Sequence, residues 1–154
     1  MATTEEERNI ETIMRWSQYY NTKDLVRFVY ECYTRDAAVY AMGAAALLTS
    51  EAFLQCEQAI VAAAPNRYLR LDHLRIDGNN VTIENTLLDL DQADFALPWA
   101  GVFTMRDGKI AVDRTYADWA RWPGVLELSK DLPVWDVHTP HCEVCREERP
   151  APSI

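Results

Sequence analysis

The stretch Phe95-Ala96-Leu97-Pro98-Trp99-Ala100-Gly101-Val102-Phe103-Thr104-Met105-Arg106-Asp107-Gly108-Lys109-Ile110-Ala111-Val112-Asp113-Arg114-Thr115-Tyr116 sets the architecture. Asp107-Gly108 is the strongest turn signal in the chain, because a two-residue hairpin turn needs positive φ and Asp-Gly adopts it at little cost. Its flanks read as two long antiparallel strands, 95–105 and 109–116. Upstream the same two-residue period continues. Leu69, Leu71 and His73 alternate with Arg70, Asp72 and Leu74 over 68–77, and Ile83, Asn85, Leu87 and Asp89 share one side of 81–90. Gly78-Asn79-Asn80 is the turn between these two strands. Four consecutive strands therefore form a meander.

Before the meander the period is 3.6. A Thr4/Glu7 capping box precedes Ile10, Ile13, Met14 and Ser17 at helical spacing, with Trp16 and Tyr20 on a neighbouring stripe. Thr22 or Asp24 caps a second helix whose buried face is Leu25, Phe28, Val29 and Cys32. Tyr33-Thr34-Arg35-Asp36 is expected to break the pattern, leaving 37–42 as a short strand that ends near Gly43. Ser50 is expected to cap a third helix, with Glu51 near its positive end, Phe53, Cys56, Ile60 and Ala63 facing inward, and Pro65 stopping it. Helices first and antiparallel strands after them make an α+β layout in which the helices cover one face of the sheet.

The chain has 154 residues, 49% of them hydrophobic and 25% charged, which excludes disorder and low complexity. A domain of this size buries roughly 68–70% of its unfolded surface, so a full core needs no staples. Twenty-four acids against fifteen bases give a net charge of −9. Such a surface repels phosphate backbones and anionic lipid, so neither nucleic acid nor membrane is expected as a partner. No apolar run approaches the ~18 residues of a membrane helix. The opening Met1-Ala2-Thr3-Thr4-Glu5-Glu6-Glu7 has no basic or apolar leader region, so a cytoplasmic setting is expected. Cys32 and Cys56 lie among apolar residues and read as reduced core thiols. The domain is expected to span 1–125, with a charged, Pro-rich tail over 126–154. In that tail His138, His141, Cys142 and Cys145 form a weak zinc set, its spacing compressed for a tetrahedral site, and a loosely ordered tail without metal is favoured.

Three motifs carry a family resemblance. They are the helical pair running into Tyr33-Thr34-Arg35-Asp36-Ala37-Ala38-Val39-Tyr40, the hairpin Gly101 to Ile110, and the closing Asp113-Arg114-Thr115-Tyr116-Ala117-Asp118-Trp119. Over residues 8–125 the chain resembles the NTF2-like, or SnoaL-like, superfamily, nearest to its limonene-epoxide-hydrolase type branch. The resemblance implies a cone: a strongly bent antiparallel or mixed sheet wrapped around three N-terminal helices, with an internal apolar pocket and dimerisation through the outer sheet face. It does not transfer a catalytic set. The branch's arginine and first aspartate fall on Asn85 and Leu87, its second aspartate on Thr115, and its tyrosine–asparagine pair on Val39 and Ala41. The superfamily's ketosteroid-isomerase base also falls on Ala41. Fold alone leaves function open.

Strand alternation selects the pocket residues. Asp113 heads the catalytic candidates, because a carboxylate facing an apolar wall has a raised pKa and can act as an acid or base near neutrality. The competing reading places it in solvent or pairs it with Arg114. His73 could shuttle a proton or orient Asp113, against the plainer reading of a strand-end histidine. Asn85 could stabilise an oxyanion, or merely satisfy a buried neighbour. Among the tyrosines, mostly core or dimer aromatics, Tyr40 and Tyr20 are the candidates for a proton-donating hydroxyl. Leu71, Leu87, Leu97, Trp99 and Thr115 would line the pocket, with Asp89 at a strand end, where a turn carboxylate is the commoner use. Tyr20, Trp119 and Trp122 would rim or floor it.

No phosphate loop or dinucleotide fingerprint is present, so no cofactor is expected. The expected activity is cofactor-independent acid–base chemistry on a small hydrophobic substrate, of the isomerase, dehydratase or cyclase type. The alternatives are an epoxide hydrolase with a relocated constellation and a non-catalytic binding or dimerisation module.

Overall fold

The computed structural model describes residues 4–41, 44–47 and 49–125. Helices α1 (Thr4–Thr22) and α2 (Leu25–Cys32) lead into strands β1 (Tyr33–Ala41) and β2 (Ala44–Leu47). Helix α3 (Ser50–Ala62) follows, and then β3 (Arg67–Asp77), β4 (Asn80–Asp89), β5 (Ala96–Arg106), β6 (Lys109–Tyr116) and a 3-10 turn at Trp119–Arg121. The six strands form one sheet in the order β2-β1-β6-β5-β4-β3. Among the described residues only β1 against β6 is parallel, so the sheet is mixed and the architecture is the expected α+β one.

Local chemistry accounts for the element boundaries, and corrects several expectations. Asp24 caps α2, its carboxylate accepting from Arg27 N at 3.2 Å. Thr49, and not Ser50, caps α3: its Oγ1 accepts from Ala52 N at 3.2 Å. Tyr33 to Asp36 does end the helical pattern, as expected, but as the first residues of β1 and not as a gap before it. Tyr33 takes extended backbone directly at the end of α2, because its ring belongs to the core and β6 offers a pairing edge from Ile110 onward. The short β2 was not anticipated, since Ala44 to Leu47 carries no alternation; its antiparallel pairing with β1 creates it. In α1 the buried stripe is Asn9, Thr12, Ile13, Trp16 and Tyr20, rotated away from Met14, which is 54% exposed.

Two β-bulges decide which side chains face the helices. In β3 the register steps from Leu71 opposite Asn85 to His73 opposite Glu84, leaving Asp72 as the extra residue. In β6 it steps between Ile110 opposite Met105 and Val112 opposite Thr104, leaving Ala111 extra. An extra residue inverts the in–out alternation of everything beyond it. Leu69 and Leu71 therefore share the core side with Leu74 and Ile76, and Ile110 shares it with Asp113.

Helix α1 is pinned across the concave side of the sheet at both ends. Thr12 Oγ1 donates to Gly108 O at 2.6 Å and Asn9 Nδ2 to Gly78 O at 3.2 Å, so both hairpin turns hang on this helix. At its other end the Asn21 amide brackets Leu69, donating to its carbonyl at 2.8 Å and accepting from its N–H at 2.6 Å. Trp16 sits between, with the rings of Phe28, Trp99 and Phe103 at 5.6, 6.1 and 5.6 Å. No helix among the described residues is long and apolar enough to cross a membrane.

Replacing Thr12 with valine keeps shape and removes the donor to the buried turn carbonyl. Urea unfolding is expected to show a loss of about 1–3 kcal/mol, whereas Met14→Ala, at an exposed position, stays within about 0.5 kcal/mol of wild type.

Candidate active site

The bulge at Ala111 turns Asp113 toward the helices, where it registers with Phe103 on one side and Val39 on the other and is 5% exposed. Two hydroxyls hold its carboxylate. Tyr33 Oη donates to Oδ2 at 2.8 Å and Thr115 Oγ1 donates to Oδ1 at 2.9 Å. Tyr33 Oη in turn accepts from Trp16 Nε1 at 2.9 Å. The indole fixes the phenol and the phenol aims the carboxylate, so the orientation of Asp113 is locked by three elements. Burial pushes its carboxyl up to about 6, outweighing the opposing pull of Tyr33, Thr115 and the Arg114 charge. Burial, followed by the Asp113 charge, raises the Tyr33 phenol well above its ordinary value.

A second acid lies within electrostatic reach. Glu57 is one turn beyond Phe53 on α3, on the side that also carries buried Val61. Burial, then the charge of Asp113, pushes its carboxyl up to about 7, with Arg67 pulling it down. The Asp113 charge helps keep the proton on Glu57. Two coupled, raised carboxyls titrate as a pair, and a pair that holds one proton offers a base and an acid at the same pH.

Arg67 opens β3 and is 1% exposed. Its Nε donates to Ala64 O at 3.0 Å, and its Nη2 donates to Ile60 O at 2.6 Å and Pro123 O at 3.0 Å. The last turn of α3 and the segment after β6 are thus tied to one guanidinium. Gly124 makes that approach feasible. It has φ +86°, and a Cβ there would come within 2.8 Å of Ala63 Cβ and 3.0 Å of Ile60 O. Tyr20, 3% exposed, neighbours Arg67 and feels the Glu57 charge; burial is the main reason its phenol is raised.

The structure groups some of the anticipated residues and separates others. Asp113 and Thr115 are joined directly, and Tyr20 belongs to the same polar cluster through Glu57 and Arg67. Leu87, Leu97 and Trp99 are buried on the concave side and Leu71 is half-buried. Asn85 is also buried there, but it registers between Leu71 and Trp99, whereas Asp113 lies in the row of Phe103 and Val81. Neither amide atom of Asn85 has a protein partner, so it does not join Asp113.

His73 is a correction. The bulge at Asp72 carries it to the outer face, where it is exposed in an open groove with Asp72, Glu84 and Pro98, and it cannot orient Asp113. Tyr40 is another: it registers with Arg114, whose guanidinium lies 5.3 Å from its ring, so it stands on the opposite face from Asp113. Asp89 accepts from Asp91 N at 2.9 Å and is a turn carboxylate. Trp122 packs on Trp99 at 5.5 Å and Trp119 on Trp122 at 5.2 Å, extending the aromatic core outward. His138, His141, Cys142 and Cys145 lie outside the described residues, and among those described no His, Cys, Asp and Glu cluster could hold a metal.

Sequence reasoning ranked Tyr33 below Tyr40 and Tyr20 as a hydroxyl donor, and passed over Glu57 and Arg67 altogether. The last two left a signal. Glu57 interrupts an apolar stripe at i+4 from Phe53 and i−4 from Val61, and Arg67 precedes Leu69 and Leu71 with inward parity.

A raised carboxyl makes the folded state prefer the proton. Its stabilising effect is complete below the unfolded value near 4 and is lost as pH rises through about 6. Wild type is therefore expected to lose stability between pH 4 and 8 in denaturant titrations. Asp113→Asn is expected to flatten that loss and to exceed wild type at pH 8 by on the order of 1–3 kcal/mol, with no such advantage at pH 4.

Comparison with known proteins agrees with this architecture. A protein from Jannaschia sp. CCS1, provisionally named a SnoaL-like polyketide cyclase, superposes with a TM-score of 0.66 at 18% identity, over 77% of this chain and 90% of that one. An NTF2-like protein of unknown function from Mesorhizobium loti gives 0.64 at 17% identity, over 77% and 97%. TerC, co-crystallised with polyporic acid, gives 0.63 at 18% identity, over 78% and 98%. At these identities the likeness speaks for the fold. No curated protein matches. The SnoaL-like domain matches residues 13–112, which takes in the helices, the sheet and the strand as far as the residue before Asp113, and the chain belongs to that family.

Proposed function

We propose that the protein is a cofactor-independent enzyme that moves a proton on a small hydrophobic carbonyl compound, in an isomerisation or cyclisation. The observation that carries this reading is a buried, doubly hydrogen-bonded Asp113 with a second raised carboxyl, Glu57, in electrostatic reach. A carboxylate left half-satisfied by two neutral hydroxyls and surrounded by apolar rings is a stronger base than one in water. Both carboxyls are raised toward neutrality, and the coupled pair can hold a single proton there, one carboxylate beside one carboxylic acid. That the Jannaschia protein is named for polyketide cyclisation and TerC was crystallised with an organic acid supports a small organic substrate.

The chemistry needs no added reactant. Asp113 takes a proton from a carbon next to the carbonyl, and the C–H electron pair moves onto the carbonyl oxygen as an enolate. A proton then returns to another carbon, from Asp113 itself or from Glu57; in the second case the proton left on Asp113 passes back to Glu57. In a cyclisation the enolate carbon instead attacks a second carbonyl of the same molecule, and the acid protonates the alkoxide formed. Trp16 and Tyr33 keep the base aimed, and Leu87, Leu97 and Trp99 supply an apolar wall.

Deuterium incorporation from D2O into a panel of cyclic β-diketones and aromatic methyl ketones, read by mass spectrometry, tests the proposal. Wild type is expected to exchange carbon-bound protons of at least one class above the buffer rate, with a loss of about 10²–10⁴-fold in Asp113→Asn. Exchange should rise with pH through about 6 as Asp113 ionises, and product formation should fall above about 7; Glu57→Gln, which cannot give a proton, should lower product formation at every pH and abolish that fall. Exchange that survives Asp113→Asn would overturn the assignment. So would a wild type that binds the ketones and exchanges none, the behaviour of a binding module. An epoxide panel is run alongside, and diol formation lost in Asp113→Asn, without exchange on any ketone, would replace the proposal with epoxide hydrolysis.

A further inference from the structure

Asp113 has 5% of its surface open, too little for a substrate carbon to meet its carboxylate unless a neighbouring segment gives way. The elements around it are fastened along their length: β6 is paired on both edges, and α1 is held at both ends by side-chain bonds to the sheet and its turns. The segment 118–125 is held differently. Its backbone bonds close within itself, from Arg121 N to Asp118 O at 3.1 Å, Trp122 N to Trp119 O at 3.2 Å and Val125 N to Trp122 O at 3.3 Å. Among the described residues no backbone bond ties it to a strand or helix. It is fastened at a few points instead. Arg67 Nη2 donates to Pro123 O at 3.0 Å, Arg121 Nη2 donates to Ala96 O at 3.1 Å, and Trp122 packs on Trp99. Gly124 is seated against the last turn of α3, on Ala63 and Ile60.

These points say where the segment lies. Pro123 and Gly124 meet the turn of α3 that follows Glu57, and Trp122 meets the aromatic wall of the concave side. It therefore runs across the Arg67 end of the cluster that contains Glu57 and Asp113. Opening costs little at Arg67. Its Nη2 also donates to Ile60 O and its Nε to Ala64 O, so the guanidinium keeps the end of α3 when Pro123 leaves, and water replaces the one bond lost. From 118 to 124 the side chains are exposed or half-buried. Segments with few long-range bonds and little buried surface open at free energies far below the global one.

We propose that residues 118–125 are a strap that opens as one unit, with the Arg67–Pro123 bond and the seat of Gly124 on α3 as its latch, and that its opening admits substrate to the Asp113 cluster. The opening stands by itself; its role as a gate rests on the acid–base reading above.

Amide hydrogen exchange of the full-length protein at about pH 7, followed by NMR in increasing urea, tests the strap. The Arg121, Trp122 and Val125 amides are expected to share one protection factor to within about threefold. They should depend very little on urea below the unfolding transition, because their opening exposes little surface. The paired amides of β5 and β6 are expected to be better protected by about 100-fold or more, and to lose protection as urea rises. Strap amides that match the sheet in protection and in urea dependence would leave only with global unfolding, and that result overturns the proposal. Three unrelated protection factors overturn it too, since they report fraying and not a unit.

Gly124→Ala, strained at φ +86° and crowded by α3, is expected to lower the three strap factors together by about tenfold. If it does not fold, Arg121→Gln, an exposed residue that loses the bond to Ala96 O, takes its place with the same expectation. Factors left at the wild-type value overturn the latch. The gate is read separately, in the deuterium-incorporation assay. The variant with the loosened strap is expected to raise kcat/KM for the aromatic ketones at least threefold, with the pH dependence unmoved, an effect that general damage to the fold does not produce. An unchanged or lowered kcat/KM beside faster strap exchange overturns the gate. A wild type that incorporates no deuterium into any ketone is a failure of the acid–base reading, and the three amides still decide the strap.

Discussion

A carboxylate inside an apolar fold must be compensated by donors or keep its proton, and Asp113 does some of each. Two hydroxyls reach it, no cation pairs with it among the described residues, and its carboxyl is pushed up to about 6. That half-compensated state depends on Tyr33, whose hydroxyl is committed on one side to the Trp16 indole and on the other to Asp113. The core packing of α1 and the first residue of β1 are thereby connected to the protonation of one atom pair on β6. A residue that made a full ion pair with Asp113 would stabilise the fold and remove the base.

Arg67 is the complementary case at the far side of the cluster. Its guanidinium joins the end of α3, the start of β3 and the segment after β6 through three carbonyls, and neighbours the Tyr20 side chain as well. Charge opposite in sign to that of Asp113 is thus held nearby, with Glu57 electrostatically coupled to both. The arrangement strains stability in the direction expected of a reactive site: base, acid and cation each sit where burial disfavours their charged form.

Placement of these groups is the work of the two bulges. Without the extra residue at Ala111, a strand that puts Ile110 in the core would send Asp113 outward. Without Asp72, a strand that puts Leu69 in the core would bring His73 inward. The bulge in β3 also keeps apolar residues on the core side of the strand's second half, so the partial burial of Leu74 and Ile76 is a sufficient physical reason for that shift; in β6 the residue turned inward is Asp113.

The helices, the four-stranded meander and the Asp107-Gly108 turn were legible because periodicity and turn chemistry are local properties of the chain. Asp113 and Thr115 were legible as a pair for the same reason, being two residues apart on one strand. His73 and Tyr40 were misplaced because alternation has to be counted from a register, and register is fixed by the neighbouring strand: one inserted residue moved the first, and pairing with Arg114 on β6 placed the second. Glu57, Arg67 and Tyr33 are on different elements, from 10 to 80 positions from one another or from Asp113 in the chain, and the inward parity of Glu57 and Arg67 does not say which groups they meet inside. Their chemistry arises only when α1, α3, β1, β3 and β6 close around the same small volume, because desolvation and charge coupling are effects of proximity in space.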